Sequence, residues 1–120
     1  VESAHRFAVE RFAADMIEVR DTLELGLAAA GAAPEAAKFV EGSQATLRMV
    51  DKAFEKAGIA VVDPLGQSFN PDLHEAIMAQ PTADHPVGSV LTVVQKGFTL
   101  NGRLLRPARV VIARSPDPAN

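Results

Sequence analysis

Cysteine is absent from these 120 residues. That removes a disulfide framework, a thiolate zinc site and a cysteine nucleophile together. It suits a reducing compartment, although many secreted bacterial proteins also lack cysteine. Tryptophan and tyrosine are missing too, which leaves six phenylalanines as the only aromatic side chains. No run of about 18 consecutive apolar residues occurs, so no segment reads as a membrane-spanning helix. An initiating methionine is lacking: the chain opens at Val1 already in helical pattern and reads as a piece of something longer. Its length fits one compact domain or two small ones. So short a chain buries a modest share of its surface, and a second copy would help it.

One further absence concerns charge. Between Pro86 and Pro116 there is no Asp or Glu, while Lys96, Arg103, Arg106, Arg109 and Arg114 make the segment +5; the whole chain is −3, so the rest carries −8. A basic segment on an acidic body points to an acidic partner surface, or to a solvated strand face.

What is present begins with an amphipathic helix. Ala8, Phe12, Met16, Val19, Leu23 and Leu27 recur three or four apart, the spacing that keeps residues on one helical face. Gly31-Ala32-Ala33-Pro34 breaks it, and Pro34 suits the first position of the next helix, where a missing N–H costs nothing. The second stripe is stricter. Val40, Ser43, Leu47, Val50, Phe54 and Ala57 alternate three and four apart, as in helices that pack nearly parallel. Gly58 ends that helix. A hairpin of two such helices buries little alone, but doubled across a two-fold axis it makes a four-helix bundle. Phe12, Met16, Val19, Leu23, Val40, Leu47, Val50 and Phe54 are the expected bundle residues of a homodimer. The alternative is that both stripes cover the chain's own C-terminal half. Gly42, mid-helix, costs about 1 kcal/mol relative to Ala, which suggests that another backbone approaches it closely.

After Gly58 the periodicity changes. Ile59 to Val62 is a short β-rich run closed by the turn residues Asp63-Pro64-Leu65-Gly66. His74 to Gln80 fits a strand better than a short helix, and Val90 to Lys96 is a strand. Phe98-Thr99-Leu100-Asn101-Gly102-Arg103-Leu104-Leu105 is the clearest local signal, because Asn-Gly between apolar runs is the preferred two-residue hairpin turn. A two-residue loop sets Leu100 opposite Arg103 and Phe98 opposite Leu105. Pro107 demands an edge or a bulge, and Ala108 to Ala113 forms a last strand. The expected fold is α+β: a helical dimerisation region over 1–57, a small β-domain over 58–115 and a tail over 116–120.

The residues hold little chemistry. Strand alternation sends His74 and Glu75 to opposite faces, so His74 reads as structural. His5, His74 and His85 have no metal-ligand spacing. Ser43, Ser68 and Ser89 lack the strand-turn-helix setting of a nucleophile elbow. Gly97 and Gly102 do not cradle a phosphate, since a strand follows them rather than a helix. No enzyme, cofactor or metal is expected. Nucleic acid is disfavoured as a partner, because the basic segment offers only Phe98 for stacking and the sequence pI is about 5.5.

Two blocks carry a resemblance. Phe69-Asn70-Pro71-Asp72-Leu73-His74-Glu75-Ala76-Ile77, followed by Val94-Gln95-Lys96-Gly97-Phe98-Thr99-Leu100-Asn101-Gly102-Arg103-Leu104-Leu105-Arg106-Pro107-Ala108, resembles the signature region of the GrpE family. Val40-Glu41-Gly42 with Leu47 is similar to that family's second bundle helix, and Asp21-Thr22-Leu23 to the end of its long helix. The likeness covers nearly the whole chain and lacks the disordered N-terminal segment and most of the long helix. It implies an elongated homodimer that binds the nucleotide-binding domain of a DnaK-type chaperone, opens its cleft and releases ADP in the bacterial cytoplasm.

By matching positions the resemblance makes Arg103 the leading chaperone contact. It adds Val94 and Ile112 on an apolar sheet face, Lys96 for steering, and Leu100. Asn101, Gly102, Gly97 and Gly42 support that site. The Ala/Leu-rich stretch Leu23 to Ala30 departs from the charged residues of family members there, which shifts the expected affinity onto the β-domain.

Overall fold

The computed structural model describes residues 2–116, with side chains from Ala4 onward. The chain divides into two compact units, Val1–Ile59 and Ala60–Asn120. Apart from Pro116, the tail expected at 116–120 lies outside the described residues. Helices come first and two small sheets follow, an α+β arrangement. Among the described residues no helix is long and apolar enough to cross a membrane.

The first unit is a helical hairpin. α1 spans Glu2–Ala30 and α2 spans Ala37–Lys56. Between them Gly31 takes a φ of 61°, a left-handed conformation that ends helices because only glycine adopts it without penalty. Pro34 does not open α2 itself. It opens a single 3-10 turn, Pro34–Ala36, that leads into α2. Gly58, at φ 85°, closes α2 in the same left-handed way.

The seam between the helices differs from the stripe read along α1. Ala13, Ile17 and Arg20, four and three apart, are the buried residues of α1, whereas Phe12 is 67 % and Val19 55 % exposed. On α2 the stripe holds: Phe54 is buried, and Val40, Ser43, Leu47 and Val50 are half-buried. The α1 seam therefore runs one position along from Phe12 and Val19. It was hidden because a charged residue occupies it. Arg20 is only 4 % exposed, and its guanidinium donates through Nε to Asp51 Oδ1, through NH2 to Asp51 Oδ2 at 3.3 Å and through NH1 to Glu24 Oε2 at 3.3 Å. Burying a charge is tolerated when it is paired and hydrogen-bonded in this way.

The second unit holds two three-stranded sheets. β1 (Ile59–Val62), β4 (Gly97–Leu100) and β5 (Arg103–Arg106) form one in the order β1-β4-β5. β2 (His74–Pro81), β6 (Ala108–Arg114) and β3 (Val90–Gln95) form the other in the order β2-β6-β3. β6 is central in its sheet, parallel to β2 and antiparallel to β3. Its burial explains its composition: Ala108 and Val110 are fully buried and, with Val90 of β3 at 2 %, are packed by Val62, Phe69, Val93 and Ile112. Pro81, lacking an N–H, stands at the end of an edge strand, where no ladder bond is lost.

Candidate functional site

The β4–β5 hairpin is the most sharply specified feature of the second unit. Asn101 at φ 49° and Gly102 at φ 84° place both turn residues in the left-handed region, the two-residue turn whose twist matches the strands it joins. Leu100 and Arg103 flank the turn as a pair. Arg103 is exposed there, while Leu100 is only 7 % exposed. Leu100, expected in the contact surface, thus offers a partner little of its side chain.

Further down, the pairing departs from the simple register. Phe98 lies opposite Arg106, not Leu105, because the ladder slips between Phe98 and Thr99, and Thr99 pairs with Leu104. Leu105 is the extra residue of a β-bulge, a device that re-aims side chains. The slip carries Arg106 over the buried ring: its guanidinium carbon stands 5.3 Å from the Phe98 centroid, and its Nε donates to the Lys96 carbonyl at 2.8 Å. Gly97 lies beneath this crossing. A Cβ there would come within 2.5 Å of Ala108 N, 2.8 Å of Arg106 O and 2.8 Å of the Pro107 carbonyl carbon. Only glycine admits the backbone at that distance.

The other candidate positions scatter. Val94 is 54 % exposed and follows Val93, which packs inward. Ile112 is half-buried and gives part of its surface to the cluster around Val110. Lys96 stands 4.0 Å from Asp63 Oδ2, so its charge is shared within the unit. Gly42 meets nothing within 4 Å of where a Cβ would be, so among the described residues no other backbone of this chain approaches it closely.

Sequence reading missed a row across the second sheet. Met78 pairs with Val111, and Val111 with Thr92. Thr92 shares the face of Val94 on the strand's period of two. Met78 is 60 % exposed. The parallel pairing of β2 with β6 brings this row together, and no local signal announces a pairing between strands more than thirty residues apart.

Electrostatically the fold pairs two members of the basic run. Arg109 Nε lies 3.6 Å from Glu75 Oε1, and Asp63 faces Lys96. Over the whole second unit five basic residues meet five acidic ones. His74 is buried and structural: its Nδ1 accepts from the Asn70 N–H at 2.8 Å, and its own N–H donates to Asn70 O at 2.8 Å. Burial alone holds its pKa below the usual histidine value, because an imidazolium loses hydration there.

A cleft of about 310 Å³ lies between the 65–68 and 85–91 segments. Its Ser89 hydroxyl is already committed to the Pro86 carbonyl at 2.7 Å, and no carboxylate lines it. Among the described residues no group of three or more His, Cys, Asp or Glu side chains is placed to hold a metal.

Comparison with known proteins adds the family. The GrpE family model matches residues 1–114. Protein GrpE of Methylococcus capsulatus is 49 % identical over 116 residues, covering 96 % of this chain and 63 % of the relative. Protein GrpE of Thioalkalivibrio sulfidiphilus is 47 % identical over 117 residues, 98 % of this chain and 63 % of the relative. Protein GrpE of Pseudomonas putida is 47 % identical over 120 residues, 99 % and 65 %. The chain thus spans a little under two thirds of the length of these curated relatives.

Proposed function

The chain belongs to the GrpE family, and from that membership we propose that it acts as a nucleotide exchange factor for a DnaK-type chaperone. It works as a homodimer in the bacterial cytoplasm, in protein folding and the stress response. It makes and breaks no covalent bond. The β-unit docks on the chaperone's nucleotide-binding domain beside the cleft and favours its open form, so that ADP loses contacts on one side and leaves.

The observation that carries this reading is the hairpin tip. A left-handed turn, a buried Leu100 and an exposed Arg103 present a guanidinium on a rigid mount. Arginine can fork onto a carboxylate in a way lysine cannot, and a mount ordered before binding reduces the entropy lost on docking. Val94, exposed on the second sheet, supplies apolar surface for the same partner, and Lys96 adds steering. Because the β-unit carries as many acidic as basic residues, its partner is a protein surface with local carboxylates rather than a nucleic acid. Exposed Phe12 and Val19 and half-buried Met16 and Leu23 on α1 join Val40, Leu47, Val50 and Phe54 of α2 in the bundle of two copies.

Thermodynamically the action is linkage. An exchanger that prefers the open chaperone weakens nucleotide binding by the factor by which nucleotide weakens its own. Turning a 99 % closed population into a 99 % open one requires about 5.5 kcal/mol of differential binding. Stopped-flow release of a fluorescent ADP analogue from a DnaK-type chaperone tests this. Addition of the chain accelerates release saturably, and Arg103→Ala weakens the effect about tenfold or more, as expected for loss of a charge-assisted contact. Release unchanged by a folded, dimeric chain would overturn the reading.

A further inference from the structure

We infer that Arg106 is the positioning residue of this site: it grips the base of the hairpin so that Arg103 meets an acidic group of the partner already aimed. The inference rests on the exchange reading above and deepens it. In charge and residue type Arg106, at the end of β5, is no different from Arg109 and Arg114 in β6.

The register slip does distinguish it. By leaving Leu105 as the extra residue, the bulge sets Arg106 opposite Phe98, and Phe98 is 1 % exposed. The guanidinium then makes two different contacts. Its carbon lies 5.3 Å from the Phe98 ring centroid, within range of the attraction between a cation and an aromatic face. Its Nε donates to the Lys96 carbonyl at 2.8 Å, a charge-assisted bond stronger than a neutral one. The backbone of the same residue completes the grip, since Arg106 O would stand 2.8 Å from a Cβ on Gly97.

Residues 96, 97 and 98 are thus held by one residue through a side-chain hydrogen bond, a close backbone approach and a ring contact. A short hairpin is marginally stable by itself. Here the strand carrying Arg103 is tied at the end opposite the turn, and swinging it would break both guanidinium contacts together. Lysine at 106 would keep the charge. It would lose the planar group that bonds edge-on to a carbonyl while its face lies on a ring.

The test is a double-mutant cycle on the whole chain. The half-saturating concentration for accelerated release of a fluorescent ADP analogue is measured for the native chain, Arg106→Lys, Arg103→Ala and the double variant. Arg106→Lys is expected to raise that concentration about fivefold in the native background and less than about twofold in the Arg103→Ala background, the coupling of residues that act through one another. Equal effects in both backgrounds would show that Arg106 acts by some route other than Arg103, and no effect in either would remove its role.

A second measurement needs no chaperone, so that failure of the exchange reading and failure of this inference stay distinct. Backbone ¹⁵N order parameters at Asn101, Gly102 and Arg103 fall in Arg106→Lys while those of β6 stay native. Unchanged order at the tip overturns the inference whatever the release experiment gives. Should the lysine variant fail to fold, Arg106→Gln, which retains a donor and lacks the cation, replaces it in both measurements.

Discussion

His74 joins backbone and side chain in a closed ring with Asn70, accepting at Nδ1 and donating from its own N–H. Its ring centroid is 5.8 Å from that of Phe69, which packs on the core cluster. Only the neutral imidazole can accept that bond. Asp72, in the same turn, is exposed, and Glu75 with its partner Arg109 lies on the other face of the strands; burial is what lowers the pKa from its ordinary 6.5. The unfolded chain therefore binds a proton at His74 more readily than the folded one. The stabilisation is present above pH 6.5, and it is lost as the pH falls through the folded value. The sheet signal in urea unfolding is expected to show a lower midpoint at pH 5.5 than at pH 7.5 for the native chain. The drop is smaller in His74→Phe, which keeps a buried ring and cannot titrate. Equal drops in both proteins would contradict this.

At the scale of the element, the helical hairpin is held by a thin seam with one costly member. Ala13 and Ile17 contribute apolar burial, while Arg20 puts a charge in the same row. Asp51, opposite it, raises the guanidinium's already high pKa mainly through the hydrogen bond between them. Asp51→Ala removes two of the hydrogen bonds of the buried Arg20 and is expected to cost the hairpin about 1–3 kcal/mol, the range for weakening a buried charged hydrogen-bonding group. The helical signal in thermal unfolding would report it. The double variant Arg20→Met, Asp51→Ala should recover most of the loss, because apolar volume replaces the one buried charge that Asp51 compensates. Failure of the double variant to recover would mean that Arg20 contributes packing that methionine cannot copy.

On the scale of the whole molecule the two units differ in how much they bury for themselves. Among the described residues the β-unit holds buried Val90, Phe98, Leu100, Ala108, Val110 and Ala113, whereas the helical unit holds buried Ala13, Ile17, Phe54 and the paired Arg20. The helical unit also leaves Phe7 at 62 %, Phe12 at 67 %, Phe39 at 72 % and Met49 at 72 % exposure. These are side chains that the proposed association of two copies would cover. Sedimentation equilibrium is expected to give a dimer at micromolar concentration, and Phe12→Glu should shift it toward monomer with the sheet signal unchanged. A native chain that sediments as a monomer would remove the bundle from the account.

Much of this was legible along the chain because it is local. Gly31, Pro34 and Gly58 punctuate the helices through backbone geometry, and Asn101-Gly102 fixes the hairpin turn because those two residues tolerate positive φ. Those constraints act within a few residues and need no partner. The position of Arg103 beside that turn was legible for the same reason, whereas its role as a contact came from the resemblance. The positions that tertiary structure decided are those whose environment comes from afar. The α1 seam passes through Arg20 because Asp51, thirty-one residues away, neutralises it. Two of the five charges of the basic segment, Arg109 and Lys96, meet Glu75 and Asp63, which lie more than thirty residues away in sequence. Arg106 reaches Phe98 only because a bulge shifts the ladder by one residue. A period of two or of 3.6 tells which way a side chain points, but what it meets there is set by which strands and helices the fold brings alongside.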